Sequence, residues 1–168
     1  LRGKILRIIP QPDGSYTIPE GNLFDATNAK ARPEIYVMGC RNPFRLSVDQ
    51  QTNTVYWGEV GPDARSLNPQ RGPAGYDEIN QARTSGNYGW PFFVADNQPY
   101  SKYNYATKIT SGSWDPTAVR NDSPHNSGLR DLPAAQPSLI SYTYSHSPDT
   151  LLLGVGGRRA STCLTPWC

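Results

Sequence analysis

The sequence predicts a loop-rich all-β protein, and three features of its composition support this prediction. The 168 residues include 15 Gly and 16 Pro, which recur every few positions and leave little room for long amphipathic helices. Ten Tyr, four Trp and four Phe are too many for an ordinary disordered segment. Apolar residues fall into short runs rich in β-branched and aromatic side chains, separated by Gly, Pro and Asn turns. The length is that of one domain.

Six short runs are predicted as strands, and they cover residues 4–9, 34–38, 45–49, 54–60, 76–80 and 138–144. The first run stops at Pro10. The Pro-Asp-Gly that follows supplies a turn, because proline presets φ and Asp-Gly tolerates the left-handed region. Asn-Pro or polar connections join the second, third and fourth runs, which predicts an antiparallel meander. Residues 92–137 are predicted to be mostly irregular, and such long loops tend to be functional.

A meander of this kind is typical of a β-sandwich or of a propeller blade. One blade takes roughly 40–50 residues, so the chain is long enough for at most about three or four blades. A closed propeller usually needs about four or more. The chain also opens at Leu1 without a methionine, directly on a strand-like run. We therefore expect a mature or internal part of a longer protein.

Charge and hydropathy exclude two classes of partner. The 16 Lys and Arg residues and 14 Asp and Glu residues give a net charge of +2, spread along the chain without a basic run. Nucleic-acid binding is therefore not expected. No stretch approaches the ~18 apolar residues of a membrane-spanning helix. The three cysteines match no zinc or redox spacing, and Cys40 is expected to be a buried thiol.

Arg41 and Asn42 follow the second predicted strand and form the first candidate binding site. Arginine offers a planar fork of donors, and asparagine adds a donor and an acceptor. The pair is therefore suited to a carboxylate or a quinone oxygen. The alternative is an ordinary turn in which Arg41 makes a surface ion pair.

Gly61 and Pro62 form the second candidate site, at the end of the fourth predicted strand. A Gly-Pro turn can expose backbone carbonyls, which hard cations such as calcium take as ligands. A plain turn is the alternative.

Asp77 and Glu78 form the third candidate site. Adjacent carboxylates on a strand point to opposite faces, so one of them can bind a cation while the other faces solvent. The alternative is a solvated sheet edge or a cap. His125 and His146 lie in loops without the spacing of a Ser-His-Asp triad, and neither is predicted to be catalytic.

The order of these segments resembles one known family. Five motifs succeed one another along the chain: Gly-Lys-Ile-Leu-Arg-Ile at residues 3–8, Gly-Cys-Arg-Asn-Pro-Phe at 39–44, Gly-Glu-Val-Gly-Pro-Asp at 58–63, Tyr-Asp-Glu-Ile-Asn at 76–80 and Gly-Asn-Tyr-Gly-Trp-Pro at 86–91. The series is similar to the glucose/sorbosone dehydrogenase family, the soluble quinoprotein sugar dehydrogenases. The similarity is close from residue 1 to about residue 100 and looser up to residue 137.

The resemblance implies a fragment of a six-bladed β-propeller, built of antiparallel four-stranded blades with long loops. Such a propeller binds pyrroloquinoline quinone (PQQ) and calcium above its central channel. These enzymes oxidise the anomeric hydroxyl of an aldose sugar to a lactone, as a base removes the proton and a hydride passes to the quinone. By motif, Arg41 and Asn42 correspond to quinone contacts. The carbonyls of Gly61 and Pro62 correspond to ligands of the calcium that polarises the quinone.

The resemblance also implies a second, structural calcium site at Glu78 and the carbonyl of Tyr88. The catalytic histidine of the family lies in an earlier blade, so it is expected upstream of Leu1, and the Lys and Arg that complete the quinone pocket come from later blades. Secretion or a periplasmic location is expected, because this cofactor is usually loaded there.

We expect a partial propeller over residues 1–153 and a divergent or truncated tail over residues 154–168. The open sheet edges of a partial ring predict self-association, or association with the remaining blades or partner chains. Without its base, the chain alone is not expected to oxidise sugar. The alternative function is a non-catalytic carbohydrate-binding or structural segment of a larger assembly, in which Tyr and Trp offer stacking faces to sugar rings.

Overall fold

The computed structural model describes residues 1–143, and every regular element among them is a β-strand. The prediction of an all-β chain is therefore confirmed. The strands are β1 (Lys4–Leu6), β2 (Ile9–Pro10), β3 (Tyr16–Thr17), β4 (Ile35–Met38), β5 (Pro43–Asp49), β6 (Thr54–Glu59), β7 (Tyr76–Ala82), β8 (Gly86–Asn87), β9 (Phe93–Val94), β10 (Gln98–Pro99), β11 (Ser101–Asn104), β12 (Ile109–Ser113) and β13 (Ile140–Thr143). This part of the chain holds no helix with the length and apolar character needed to cross a membrane. The predicted tail, residues 154–168, lies outside the described residues.

The largest sheet has four antiparallel strands in the order β13-β7-β6-β5. Its first three strands in sequence are rich in β-branched and aromatic residues, which suit a half-buried pleated surface. The register of β6 against β7 pairs Val55 with Ala82, Trp57 with Asn80 and Glu59 with Glu78. Residues that alternate along a strand share a face, so these paired side chains all lie on the same side of the sheet.

β4 belongs to a different sheet from the one the sequence predicted for it. It pairs with β1 in the antiparallel sense and with β8 in the parallel sense, so the prediction of a meander that begins at β4 is wrong. Gly39 follows β4 with φ of 77° and turns the chain out of that sheet. A Cβ at Gly39 would lie 2.4 Å from Asn87 Oδ1, so only glycine fits there. The meander therefore begins one strand later, at β5.

Three small hairpins complete the described strands: β2 with β3, β9 with β10, and β11 with β12. The last two lie within residues 92–137, which are mostly irregular as predicted, but the four short strands there were not predicted. Every residue of β12 is exposed. A strand without a buried face carries no apolar alternation, which is the signal that sequence reasoning depends on.

The buried core joins the two larger sheets close to the end of β6. Trp57, which is 2% exposed, packs edge-on against Tyr88 with 4.7 Å between ring centroids. Tyr36 and Val37 from β4 and Cys40 from the turn after it belong to the same cluster. The turn that carries Arg41 is thereby anchored to the four-stranded sheet.

This arrangement is consistent with part of a β-propeller, in which each blade is a four-stranded antiparallel sheet. Residues 1–143 do not form a closed ring.

Candidate functional site

A pocket lies where the end of β6 and the start of β7 meet the turns after β4 and β8. Arg41, Gly61, Pro62, Glu78 and Tyr88 all line it, although they come from separate stretches of the sequence. The rest of the lining comprises Gly39, Glu59, Tyr76, Trp90, Phe93 and Val94. Asn42 adjoins Arg41 but is not part of the lining. The structure thus brings together all the predicted cofactor and metal residues except Asn42, which lies next to them.

The end of β6 holds the Arg41–Asn42 turn through both backbone and side chain. Arg41 Nη1 donates to the carbonyl of Val60 at 2.9 Å, and the guanidinium carbon lies 5.8 Å from the centre of the Trp90 ring. The backbone N–H of Asn42 donates to the carboxylate of Glu59. The carbonyl of Asn42 accepts from the Val60 N–H at 3.1 Å. The partner of Arg41 is therefore the backbone carbonyl of Val60 rather than the surface acid of the alternative interpretation.

The peptide unit between Val60 and Gly61 is fixed at both of its polar groups. Its carbonyl accepts from Arg41, and its N–H donates to Asp77 Oδ1 at 2.9 Å. Because these two groups of a trans peptide point in opposite directions, the two bonds together set its orientation. Asp77 is only 5% exposed. The expectation that one carboxylate of the Asp77–Glu78 pair faces solvent is wrong for this residue.

The turn at Gly61 and Pro62 touches the backbone at the start of β7. A Cβ on Gly61 would lie 1.7 Å from the carbonyl oxygen of Tyr76, and a Cβ on Gly75 would lie 1.8 Å from the carbonyl oxygen of Pro62. The Pro62 carbonyl also accepts from the Ala64 N–H at 2.7 Å. Glycine is required at both positions because any side chain would separate the two segments.

Glu59 and Glu78 face each other across β6 and β7 at the floor of the pocket. Burial raises the pKa of Glu59 to about 7, and the side chain is 7% exposed. Burial also raises the pKa of Glu78. Like charges on directly opposed residues disfavour each other, and burial strengthens the effect. A cation at this end of the sheet would offset that repulsion.

Both oxygens of the Glu78 carboxylate accept hydrogen bonds. Oε1 accepts from the Ala95 N–H at 2.6 Å, and Oε2 accepts from Asn80 Nδ2 at 3.0 Å. The Oδ1 atom of Asn80 is buried and has no hydrogen-bond partner among the described residues. Buried acceptors without a donor are rare in proteins and point to a missing ligand, water or ion. This observation fits a cation near Glu78.

Tyr88 contributes to the pocket from the opposite side. Its ring packs on Trp57, and its hydroxyl donates to the carbonyl of Gln81 at 2.5 Å. Because the Tyr88 side chain packs in the core, the backbone carbonyl of Tyr88 is the group suited to bind a metal. No group of three or more His, Cys, Asp or Glu side chains placed to hold a metal occurs within residues 1–143. Backbone carbonyls would have to complete any cation site here, and calcium accepts such ligands.

Neither His125 nor Cys40 is part of this lining. His125 is exposed and lies outside the pocket, and His146 lies outside the described residues. Cys40 is free and 4% exposed, which confirms the predicted buried thiol. Burial, and next the negative charge of Glu59, raises the pKa of this thiol, so it is held in the neutral form.

Comparison with known proteins identifies the family. The family model for glucose/sorbosone dehydrogenase matches residues 1–133. The chain belongs to this family. The resemblance drawn from the five sequence motifs is therefore confirmed.

Two relatives illustrate how much of a glucose/sorbosone dehydrogenase the chain covers. It is 31% identical over 132 residues to the aldose sugar dehydrogenase YliI of Escherichia coli (strain K12), a match that covers 77% of this chain and 31% of that protein. It is 34% identical over 107 residues to quinoprotein glucose dehydrogenase B of Acinetobacter calcoaceticus, which covers 62% of this chain and 18% of that protein. The chain thus spans less than a third of the length of either relative.

Sequence reasoning missed Glu59 and Trp90 as residues that organise the pocket, and it named Asp77 without its contact to Gly61. Glu59 continues the alternation of Val55 and Trp57 along β6, so its inward direction could have been inferred from strand periodicity. The bond from Gly61 to Asp77 joins two loop ends, and no local pattern encodes it. Trp90 was noted only as part of a turn, and its position beside Arg41 depends on the parallel pairing of β4 with β8.

Replacement of Gly61 by alanine tests the close contact between this turn and β7. The added Cβ would overlap the Tyr76 carbonyl, so we expect the free energy of unfolding to fall by about 1–3 kcal/mol. Gly58→Ala is the matched control, because a Cβ there meets nothing within 4 Å and should change stability by less than about 0.5 kcal/mol. Urea unfolding followed by tryptophan fluorescence measures both. Equal stability of the two variants would contradict the described packing.

Proposed function

We propose that this chain carries part of the cofactor site of a PQQ- and calcium-dependent dehydrogenase that oxidises aldose sugars to lactones. The observation that supports this most is the convergence of Arg41, Gly61, Pro62, Glu78 and Tyr88 on one pocket. Sequence motifs alone had assigned these residues to the quinone and calcium sites. Membership of the glucose/sorbosone dehydrogenase family is the second support.

Gly61 and Pro62 would hold the calcium beside the quinone through their carbonyl oxygens. The fixed peptide between Val60 and Gly61 prevents the turn from rotating, so these carbonyls are oriented before a ligand arrives. Glu78 and the Tyr88 carbonyl would hold the second calcium. The opposed carboxylates and the unpartnered Asn80 Oδ1 support a cation there.

Arg41 and Asn42 would bind the quinone through hydrogen bonds to its oxygens. Arg41 keeps further N–H donors beyond the one used by Val60, since a guanidinium carries five. A fixed positive charge stabilises negative charge that develops during reaction, without reorganisation at that moment. When bound, the quinone accepts the hydride and calcium polarises it.

No histidine among residues 1–143 lines this pocket, and His125 is exposed outside it. We propose that the histidine implied by the family lies upstream of Leu1 and that activity requires the remaining blades. On the same family grounds we propose a secreted or periplasmic location.

A carbohydrate-binding role without catalysis is the second candidate. The observation that favours it is an aromatic pair on and beside β11, in which Tyr105 is 68% exposed and contacts the half-buried Tyr103 at 5.0 Å between ring centroids. Arg71 lies over both rings. Exposed aromatic faces of this kind can stack on sugar rings.

Thermal unfolding of the chain with added ligands separates the two functions. With calcium and PQQ together, we expect a rise in melting temperature that neither ligand gives alone. Ligand at a hundredfold excess over its dissociation constant stabilises the folded state by about 2.7 kcal/mol, which is readily measured. Arg41→Ala should abolish this rise.

The control for that experiment is Arg45→Ala. Arg45 is exposed and lies over the Phe44 ring, away from the pocket, so its loss should leave the response to PQQ intact. A rise with glucose alone, and none with PQQ and calcium, would contradict the dehydrogenase proposal and favour carbohydrate binding.

The edge strand β5 supports the proposal that further chains or blades cover this sheet. Phe44, Leu46 and Val48 alternate along β5, so they share one face, and they are 65%, 58% and 48% exposed. An exposed apolar edge strand is a template for association. We expect the isolated chain to self-associate through this face.

Leu46→Glu should therefore reduce self-association, measured by sedimentation velocity over a range of concentrations. Leu67→Glu is the matched control, because Leu67 is equally exposed, at 66%, but lies in a loop outside the edge strand. A wild-type chain that sediments as a monomer at every concentration would contradict the expectation.

A further inference from the structure

Glu59 occupies an unusual position for a charged residue. It ends β6, is 7% exposed and lies behind the turn that carries Arg41 and Asn42. Its Oε1 atom accepts from the backbone N–H of Asn42. Its Oε2 atom accepts from the indole N–H of Trp57 at 3.2 Å.

The hydrogen bond from the Asn42 N–H to Glu59 holds the backbone of the turn at a place where strand pairing is irregular. The ladder between β5 and β6 has a register shift between Pro43 and Arg45. Regular strand pairing therefore gives way just after the turn. The carboxylate of Glu59 supplies a hydrogen bond that holds the chain there.

The same strand end also sets the direction of the Arg41 side chain. Val60, the residue after Glu59, accepts from Arg41 Nη1, and Trp90 lies beneath the guanidinium. The backbone of the turn and the end of its side chain are thus held by neighbouring residues of one segment. A shift of the Glu59 carboxylate would move both.

Each oxygen of the Glu59 carboxylate already has a donor from the protein, the Asn42 N–H for Oε1 and the Trp57 indole N–H for Oε2. Asp77 makes the corresponding contact on the other side, to the Gly61 N–H. The contact through which Glu59 can act on a ligand of the pocket is therefore the one with the turn.

We propose that Glu59 is the positioning residue for the quinone site, which holds Arg41 and Asn42 in the geometry that binds the cofactor. This inference rests on the proposed function of the pocket. It predicts that removal of Glu59 weakens cofactor binding only as long as Arg41 is present to be positioned.

The test is a double-mutant cycle on the full chain, with the affinity for PQQ measured by fluorescence titration at saturating calcium. Glu59→Ala alone should weaken binding by about tenfold or more, as expected for loss of hydrogen bonds to a charged group. In the Arg41→Ala background the same substitution should change affinity far less, because coupled residues are not additive. Glu59→Gln, which keeps an acceptor for the Asn42 N–H, should fall between wild type and Glu59→Ala.

Val55→Ala is the matched control for stability. Val55 lies on the same strand and face as Glu59 and is buried, but it is not part of the pocket. Temperatures are chosen so that this variant and Glu59→Ala are equally folded. An equal loss of PQQ affinity in Val55→Ala, or additive losses from Arg41 and Glu59, would overturn the proposal.

Amide hydrogen exchange at Asn42, whose N–H donates to Glu59, gives a readout that does not depend on the cofactor. Faster exchange in Glu59→Ala, with no change in Val55→Ala, supports the positioning role even if the wild-type chain fails to bind PQQ. That failure would count against the proposed function alone. Unchanged exchange in the folded Glu59→Ala variant would overturn the positioning role. If the alanine variant does not fold, Glu59→Gln provides the same comparison.

Discussion

The pairing of β6 with β7 is the constraint on which the rest of the pocket depends. Its register sets Trp57 in the core and, two pairs further along, places Glu59 opposite Glu78. The pair is at the sheet end, where the turns after β4 and β8 approach. If β7 slipped by one residue against β6, Glu78 would turn to the other face and would no longer oppose Glu59. Packing and site geometry therefore have a common origin.

Burial of acidic side chains is the cost of this arrangement, and the surrounding donors offset it. Glu59 and Asp77 each accept backbone N–H groups from turns that belong to the pocket wall. Buried carboxylates stabilise a fold only when they are well hydrogen-bonded. Here their bonds orient the Arg41–Asn42 turn and the Gly61 peptide. The same side chains that would destabilise a core if unpaired thus define the shape of the pocket.

Much of this could be predicted from the sequence, and the reasons for the exceptions are physical. The strand runs, the absence of helical periodicity and the motif series gave the all-β class and the family, and Arg41 and Gly61 were found because their residue types are informative locally. The partners of β4 were not predictable, since Gly39 redirects the chain and no run of residues shows which strand it meets. The exposed strand β12 carries no alternation. Asp77 was expected to be a cation ligand or a solvent-facing group. Its contact with the Gly61 N–H joins residues 16 positions apart and forms only in the folded chain, so no local pattern predicts it.

The most direct measurement of the central claim, that this strand end builds a cofactor site, is a crystal structure of the chain grown with calcium and PQQ. The account predicts calcium on the carbonyl oxygens of Gly61 and Pro62, with quinone oxygens in hydrogen-bond contact with Arg41 and Asn42. The Glu59 carboxylate should remain on the turn behind them. An ordered quinone bound elsewhere on the chain, with this pocket unchanged, would contradict the account.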